Sequence, residues 1–382
     1  MIVRLHDYMS ATPDEIAEVT ASLYPGPGRR ELHAVITPRA SRHFLGQLDD
    51  VMAALSALSA AHPTMKVAYA RFYLSDPINR AGELREAAPL PLYSVVGQTP
   101  LKGERLQLLV IMNEADSVEL LPGGFQAVKR GAYTDLWLTT QAPESGTSAD
   151  ATEALLSSLN SSLLTYNSSL AQACLRTWFF VSNIDATYSG LVAARNEVFS
   201  KFGLTSATHF IASTGIGSQP LTPFSPLSFE ALSTLGLDED QIAYLRAPSH
   251  LGNTMDYGVA FERATAVTYA DRRLIIISGT ASIDPKGSIH APGLIRAQVT
   301  RMADNVDALL AQGAARPDDI MHIILYLRDL ADANTARAMI ADRYPGVPCV
   351  AVQAAVCRPG WLVEMECIAM TPVTTPAPWP AY

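Results

Sequence analysis

Two carboxylates stand two residues apart near the end of the chain, where they could do acid–base chemistry. A strand pattern over 362–370 puts Glu364 and Glu366 on one side, between the aliphatic Leu362 and Ile368. A carboxyl group held against apolar neighbours favours its neutral form, which is how proteins make a general acid that works near neutral pH. The alternative is an ordinary half-exposed strand whose polar side lies in water.

Three arginines are candidates for binding an anionic substrate. Arg195 follows Tyr188 by seven residues, which is two helical turns, so both side chains point the same way. Arg263 begins the last third of the chain, and Arg176 sits in a mostly apolar strand, where a buried guanidinium needs an anionic partner. Each could instead be solvated or paired with a nearby acid.

A short glycine turn is predicted at Thr214–Gly217, directly after a strand. Backbone N–H groups in such a turn can hold a carboxylate or phosphate, which makes Thr214 and Gly215 candidate ligand contacts. The Lys-Ser/Thr ending of a P-loop is missing, so a bare turn is the alternative.

Other catalytic signatures are absent from the sequence. The eight histidines have no metal-ligand spacing, no GxSxG elbow or dinucleotide fingerprint occurs, and Cys357 has no histidine beside it. We therefore expect chemistry without a cofactor or a metal.

The overall composition and charge limit which classes of protein this chain can belong to. The 382 residues are 48% apolar and 17% charged with a net charge of −9, which disfavours nucleic-acid and membrane partners. The four cysteines form no CxxC pair, the start Met1–Ser10 has no apolar run of signal length, and the longest aliphatic run, 274–277, cannot span a bilayer. We expect a cytoplasmic protein that binds a small anionic substrate.

An internal repeat organises the chain into three α+β units of strands, helix, strand, helix and strand. Helix-period patterns are predicted at 47–58, 149–173, 188–202, 295–312 and 334–343. A sheet with helices on one face must bury its other face, and three units can do so against each other. The predicted divisions are a first repeat at 1–120, a second at 121–217, an insertion at 218–257, a third repeat at 258–372 and a Pro-rich tail at 373–382.

The third unit carries a set of short motifs: Ser278–Asp284, Gln298, Asn305-Val306, Tyr326–Asp329 and Leu362–Glu366. Through these motifs it resembles the RidA (YjgF) family, whose members form trimers with active sites between subunits. The resemblance implies three RidA-like (chorismate-mutase-like) repeats that form an intramolecular pseudo-trimer. RidA-type imine deaminases use an arginine at the start of the strand before the last, where Cys349, His209 and Leu92 stand here.

Several short motifs follow one another in a fixed order and spacing over about 127–370: Ser145-Gly146, Ala149–Thr152, Arg176–Trp178, Tyr188 with Arg195, Thr214–Gly217, Tyr257-Gly258, Phe261–Thr265, His290, Gln298 and Leu362–Glu364. Through these motifs the chain resembles the chorismatases. It departs from that family at 246–257, which matches weakly, and between Gly258 and Phe261, where three residues are missing.

The chorismatase resemblance implies cleavage of the enol ether of chorismate, a dianion, to pyruvate and a cyclic acid. Glu364 would be the general acid. The implied substrate contacts are Arg195, Arg263, Tyr188, Thr214, Gly215, Gly279, Tyr257 and Arg176. Gly279 and Cys357 are similar to the branch that makes 3-hydroxybenzoate rather than the hydrolytic branch, and Cys357 would assist proton movement.

Other functions remain open. The chain could be a RidA-like enamine or imine deaminase, another small-molecule hydrolase, or a metabolite-binding protein without turnover, whereas RNA cleavage is disfavoured by the acidic charge. The position of Glu364 is Gln107 in the first repeat and has no clear match in the second, which predicts one working site in a monomer or small homo-oligomer. Glu366 is expected to be supporting or structural.

Overall fold

The computed structural model describes residues 1–6, 17–374 and 377–382, and folds them into three β-sheets with helices packed against them. The part of the N-terminal prediction at 7–10 lies outside the described residues, as do 375 and 376 of the predicted Pro-rich tail.

The first unit has six strands in the order β1-β2-β3-β7-β4-β5. Its elements are β1 Val3–His6, β2 Ala17–Tyr24, β3 Glu31–Pro38, α1 Phe44–Ala61, β4 Lys66–Leu74, α2 Pro77–Ala87, β5 Ser94–Val96 and β7 Leu106–Asn113. The short β6 Thr99–Pro100 lies between β5 and β7 in sequence and joins the third sheet. Asp76 caps α2 through the Asn79 amide, and Pro77 opens the helix.

The second unit has six strands in the order β12-β11-β13-β10-β9-β8. Its elements are β8 Ser117–Leu121, β9 Phe125–Arg130, β10 Tyr133–Gln141, α3 Ser148–Leu164, α4 Leu170–Ala173, β11 Cys174–Val181, α5 Ile184–Lys201, β12 Ala212–Gly217 and β13 Leu227–Leu235. A capping box between Thr147 and Asp150 fixes the start of α3.

The third unit contributes six strands and accepts β6, in the order β14-β15-β16-β19-β17-β18-β6. Its elements are β14 Ile242–Leu245, β15 Ala264–Thr268, β16 Arg272–Ala281, α6 Ile295–Gln312, β17 Ile320–Leu327, α7 Ala333–Arg343, β18 Cys349–Gln353 and β19 Val363–Pro372. Helix α6 has the bounds that its apolar spacing predicts.

The three sheets share one strand order. In each unit the last long strand lies at the centre, giving β2-β3-β7-β4-β5, β9-β10-β13-β11-β12 and β15-β16-β19-β17-β18. A mixed α+β fold is therefore present, and the internal repeat read from the sequence corresponds to three sheets of equal topology.

Two sequence predictions differ from the structure. The segment 218–257, expected to be an insertion, contains β13, which pairs with β10 and β11 at the centre of the second sheet. The sequence did not predict this strand because serines are typical of loops, whereas the serines of β13 are buried. The helix expected over 149–173 ends at Leu164 and resumes as α4, because Asn167 adopts a left-handed conformation and Ser169 caps a new turn.

Each unit also touches the next through its edge strand. The contacts are Ile216↔Val356 between units two and three, Val352↔Pro100 between units three and one, and Gly97↔Gln219 between units one and two. One apolar cluster contains residues of all three sheets, including Tyr73, Trp178 and Tyr326. The sheet faces opposite the helices are thus buried together.

Within the described ranges, no helix combines the length and apolar character needed to cross a membrane. The four cysteines are free thiols. No group of three or more His, Cys, Asp or Glu residues in this part of the chain is arranged to hold a metal ion.

Candidate active site

Strand β19 carries both carboxylates on its buried face. It lies between β16 and β17, with Glu364 opposite Tyr326 and Glu366 opposite Ile324. Glu364 is 5% exposed and Glu366 is 3% exposed, so the polar face of this strand does not lie in water. Because burial favours the neutral form of a carboxyl group, partners decide which of the two stays charged.

Glu366 is surrounded by hydrogen-bond donors from the second unit. Arg176 Nη2 donates to Glu366 Oε2 over 2.7 Å, Trp178 Nε1 donates to Oε1 over 2.8 Å, and Thr214 Oγ1 donates to Oε2 over 2.6 Å. These donors satisfy both carboxylate oxygens, so Glu366 joins the sheets of the second and third units through an ion pair and hydrogen bonds.

Glu364 has no such donors. Within the described residues its carboxyl group makes no hydrogen bond, and burial, followed by the charge of Glu366, raises the pKa of Glu364 to about 8. Arg176 and Arg263 oppose this shift without cancelling it. At neutral pH, Glu364 is therefore a protonated acid that can donate.

Gly279 leaves the space that Glu364 occupies. A Cβ atom at position 279 would lie 2.4 Å from Glu364 Oε1 and 2.9 Å from Thr214 Cγ2. The glycine N–H donates to Thr214 Oγ1 over 2.8 Å. A side chain at this position would push the acid from its place.

Glu364 faces a cavity of about 520 Å³, partly open to solvent, between the second and third units. Nine of the ten residues predicted to form the site line this cavity: Glu364, Cys357, Arg195, Arg263, Tyr188, Thr214, Gly215, Gly279 and Tyr257. Helix α5 and β12 supply one wall, and β16, β19 and the preceding loops supply the other. Their catalytic and binding roles stay predictions.

Three arginines line the cavity without a carboxylate partner in the described residues. Arg195 is 1% exposed; its Nη1 donates to Ser213 Oγ over 3.3 Å, and its Nε and Nη2 have no hydrogen-bond partner. Arg263 donates to the Tyr257 hydroxyl and to a backbone carbonyl, and its Nε is unpartnered. The Arg358 guanidinium lies over the rings of Tyr257 and Trp361.

Burial lowers the pKa of Arg195 and of Arg263, yet both guanidinium groups remain charged at neutral pH because their ordinary value is so high. Uncompensated buried cations are unfavourable on their own. The cavity is therefore complementary to an anion with more than one negative group.

Tyr188 and Cys357 form a polar pair at the cavity wall. The Tyr188 hydroxyl is within hydrogen-bonding reach of the Cys357 thiol and of Arg195. Burial, then the nearby Glu364, raises the pKa of Cys357 to about 12, and burial raises the pKa of Tyr188. Both are protonated at neutral pH, so Cys357 is a hydrogen-bonding thiol rather than a thiolate nucleophile.

Arg176 is the predicted contact that the structure does not bring into the cavity. Its guanidinium lies behind Thr214, paired with Glu366 and stacked 4.7 Å from the centre of the Trp178 ring. The sequence argument that a buried arginine needs an anion holds, but the anion is Glu366 and not a ligand.

The predicted glycine turn at Thr214–Gly217 is also wrong. These residues form β12, which pairs in parallel with β11 from Arg176↔Ala212 to Val181↔Gly217. A strand in a ladder does not present the concave row of N–H groups that an anion-binding turn offers. Gly215 is required for packing, because a Cβ atom there would lie 2.9 Å from the Tyr188 ring.

Several lining residues were missed from the sequence. They are Ser213, Val259, Phe261, Ala281, Ile283, Arg358 and Trp361. Arg358 stands one residue after Cys357, and its position at the start of a turn is a signal that could have found it. The apolar members carry no sequence signal that separates them from core residues.

The acid is not repeated in the other units. The central ladders end in the pairs Leu74↔Leu106, Val181↔Leu227 and Leu327↔Val363. In the next pair of each ladder, the residue on the central strand is Gln107 in the first unit, Ser228 in the second and Glu364 in the third. Ser228 is the counterpart in the second unit that the sequence comparison did not find.

Comparisons with known proteins agree with this architecture. The family model described as Endoribonuclease L-PSP matches residues 261–371. A RutC family protein of Pyrococcus abyssi is 30% identical over 97 residues, covering 25% of this chain and 76% of that protein. A chorismatase of Streptomyces hygroscopicus is 28% identical over 254 residues, covering 62% of this chain and 72% of that protein.

A crystal structure of chorismatase at 1.08 Å resolution superposes with a TM-score of 0.63 at 20% identity, covering 79% of this chain and 92% of that one. At this sequence identity, the superposition shows that the two chains share a fold and nothing about their activity. The sequence match and the shared fold together make the chain a homologue of chorismatase.

Proposed function

Because the chain belongs to the RutC family and is a homologue of chorismatase, we propose that it cleaves the enol ether of chorismate. The products would be pyruvate and a cyclic acid, with 3-hydroxybenzoate favoured. The reaction would need no cofactor, because one protonated carboxyl group can start it.

The observation that carries the proposal is the pairing of a neutral acid with unpaired cations in one cavity. Glu364, with a pKa of about 8, lines the same cavity as Arg195, Arg263 and Arg358. Chorismate carries two carboxylates and one enol ether, so it can use the cations for binding and the acid for reaction.

The proposed first step is proton transfer from Glu364 to the methylene carbon of the enolpyruvyl group. This breaks the carbon–carbon π bond and leaves an oxocarbenium ion beside the Glu364 carboxylate. The carboxylate that forms then stabilises the cation electrostatically. The arginines fix the two carboxylates of the substrate, which holds the methylene carbon near the acid.

The second step decides the product. Capture of the oxocarbenium ion by water gives the hydrolytic product, a dihydroxycyclohexadiene carboxylate. Capture by the neighbouring ring hydroxyl would give a cyclic ketal. Loss of the ring proton on the carbon that bears the ether oxygen would then break the bond between the capturing oxygen and the ring, which makes the ring aromatic and leaves a hemiketal. Collapse of the hemiketal would release pyruvate and 3-hydroxybenzoate, which together contain the atoms of chorismate with no added water. The Cys357 thiol and the Tyr188 hydroxyl are the protonated groups available to assist proton movement on this branch.

We also infer that the three units form an intramolecular pseudo-trimer. The equal strand orders and the cyclic set of edge contacts, Ile216↔Val356, Val352↔Pro100 and Gly97↔Gln219, support this arrangement. A single chain would then complete the between-unit site that separate subunits form in the RidA family.

Product analysis tests the proposed function. Purified protein incubated with chorismate should release pyruvate and 3-hydroxybenzoate in equal amounts, measured by chromatography against authentic standards. Equal release of pyruvate and the dihydroxycyclohexadiene acid would keep the enzyme class and overturn the product branch.

A thermal-shift series with aromatic and enolpyruvyl acids provides the complementary test. Stabilisation by these acids without pyruvate release would favour a metabolite-binding protein over an enzyme. Release of ammonia from enamine or imine substrates would instead favour a deaminase.

A further inference from the structure

A second cavity, between the third and first units, is built from the same kinds of elements as the Glu364 cavity. The Glu364 cavity lies between helix α5 with edge strand β12 and the strands β16 and β19 of the next unit. The second lies between helix α7 with edge strand β18 and the strands β2, β3 and β7. Its volume is about 910 Å³, including a part open to solvent.

Gln107 occupies the position of the acid in this second cavity. It pairs with Tyr73 one step from the end of its ladder, as Glu364 pairs with Tyr326 in the third unit. A side-chain amide has no proton of suitable acidity to give to carbon. The second cavity can therefore bind a ligand but cannot start the chemistry proposed for Glu364.

In the part of the chain that the structure describes, one cation of the second cavity has no ion pair. Lys102 is paired with Glu18 over 3.0 Å, and Glu104 accepts from the Lys102 backbone N–H over 2.9 Å. Arg337, half-buried on α7, makes no ion pair or hydrogen bond within the described ranges. Its charge acts on the half-buried Cys349 thiol, where it opposes the rise of the Cys349 pKa to about 12 that burial causes.

Gln107 supplies an unused acceptor. Its Nε2 donates to Thr37 Oγ1 over 2.7 Å, whereas its Oε1 is buried without a hydrogen-bond partner. A buried carbonyl oxygen without a donor is unfavourable, so a ligand that donates here is favoured. The walls between these polar groups include Leu101, Ile340 and Val347.

We propose that this second cavity is a non-catalytic binding site for a small monocarboxylate with an apolar body and a hydroxyl or amino donor. The carboxylate lies on Arg337, the donor on Gln107 Oε1, and the body on the apolar walls. Among the described residues, one cation of this cavity lacks an anionic partner and so selects a monoanion, whereas three arginines in the Glu364 cavity select a dianion. This inference does not depend on the reaction at Glu364.

Calorimetric titration of the full chain with 3-hydroxybenzoate, benzoate and benzamide tests the proposal. Arg337→Gln should weaken 3-hydroxybenzoate binding about tenfold or more, since it removes a charge-assisted hydrogen bond. Gln107→Leu should abolish the preference for 3-hydroxybenzoate over benzoate, and benzamide should bind least. Arg263→Gln is the matched control, because it removes a cation of the other cavity and should leave this binding event unchanged.

Two results would overturn the proposal. One is that Arg337→Gln binds 3-hydroxybenzoate with the same affinity as the wild type. The other is that the wild type shows no binding of 3-hydroxybenzoate at millimolar concentration. Chorismate turnover by Arg337→Gln and Gln107→Leu, measured without added ligand, should equal that of the wild type, so a loss of binding here stays distinct from a failure of the proposed reaction.

Discussion

At the scale of single residues, two glutamates on one strand differ because different donors reach them. Glu366 accepts hydrogen bonds from Arg176, Trp178 and Thr214, whereas Glu364 has no donor among the described residues and stays neutral at pH 7. The alternating pattern of the sequence predicts that both lie on one face. It cannot predict which one is neutral, because the donors come from another sheet.

The pH dependence of turnover should report the Glu364 pKa. Since the protonated form is the reactive one and its pKa is raised to about 8, the rate should be level below that pH and fall about tenfold per pH unit above it. Initial rates of pyruvate release at saturating chorismate, from pH 6 to 10, measure this. A rate that rises with pH through 8 would contradict a general-acid role for Glu364.

At the scale of elements, β19 and β12 set the site together. Strand β19 supplies the acid, and β12 supplies Thr214, whose hydroxyl links Glu366 to the Gly279 backbone. The sequence predicts β19 and helix α6 well because their apolar spacing is regular. It mistakes β12 for a turn because glycines alternate there, and it misses β13 because serines occupy a buried strand.

Replacing Glu366 should change Glu364 through the strand that they share. In Glu366→Gln the negative charge that helps to raise the Glu364 pKa is gone, and Arg176 loses its counterion and acts more strongly on Glu364. Both effects favour the Glu364 carboxylate, so the alkaline fall in rate should move to lower pH.

The same pH series on this variant measures the shift. Exposed Glu239→Gln serves as a matched control for the loss of one carboxylate. A profile with unchanged midpoint and a uniformly lower rate would mean that Glu366 only stabilises the fold.

At the scale of the whole molecule, buried ion pairs between units define how the sheets meet. Arg71 of the first unit and Glu230 of the second are both 1% exposed, and Glu230 also accepts from the Tyr69 and Ser94 hydroxyls. The sequence predicts three repeats but not these partners, because the pairing residues are more than 130 positions apart. Glu230 holds the same position in its central strand as Glu366 does in the third unit.

Removing one member of this pair should destabilise the chain strongly. Arg71→Met leaves Glu230 buried without its cation and should lower the free energy of unfolding by about 3–5 kcal/mol. The double variant Arg71→Met with Glu230→Leu should recover most of that loss, since no buried charge remains unpaired. Chemical denaturation of the two variants and the wild type measures this, and equal stability of the single and double variants would argue against the pair as a link between units.

The central claim is that Glu364 is the proton donor for the cleavage of chorismate. It is tested most directly by pyruvate release at pH 7 from the wild type, Glu364→Gln and the Gln107→Leu control, with circular dichroism to verify the fold of each. We predict wild-type turnover in the control and a loss of at least about a thousandfold in Glu364→Gln. Wild-type pyruvate release no faster than spontaneous decay, or full activity in Glu364→Gln, would contradict the claim.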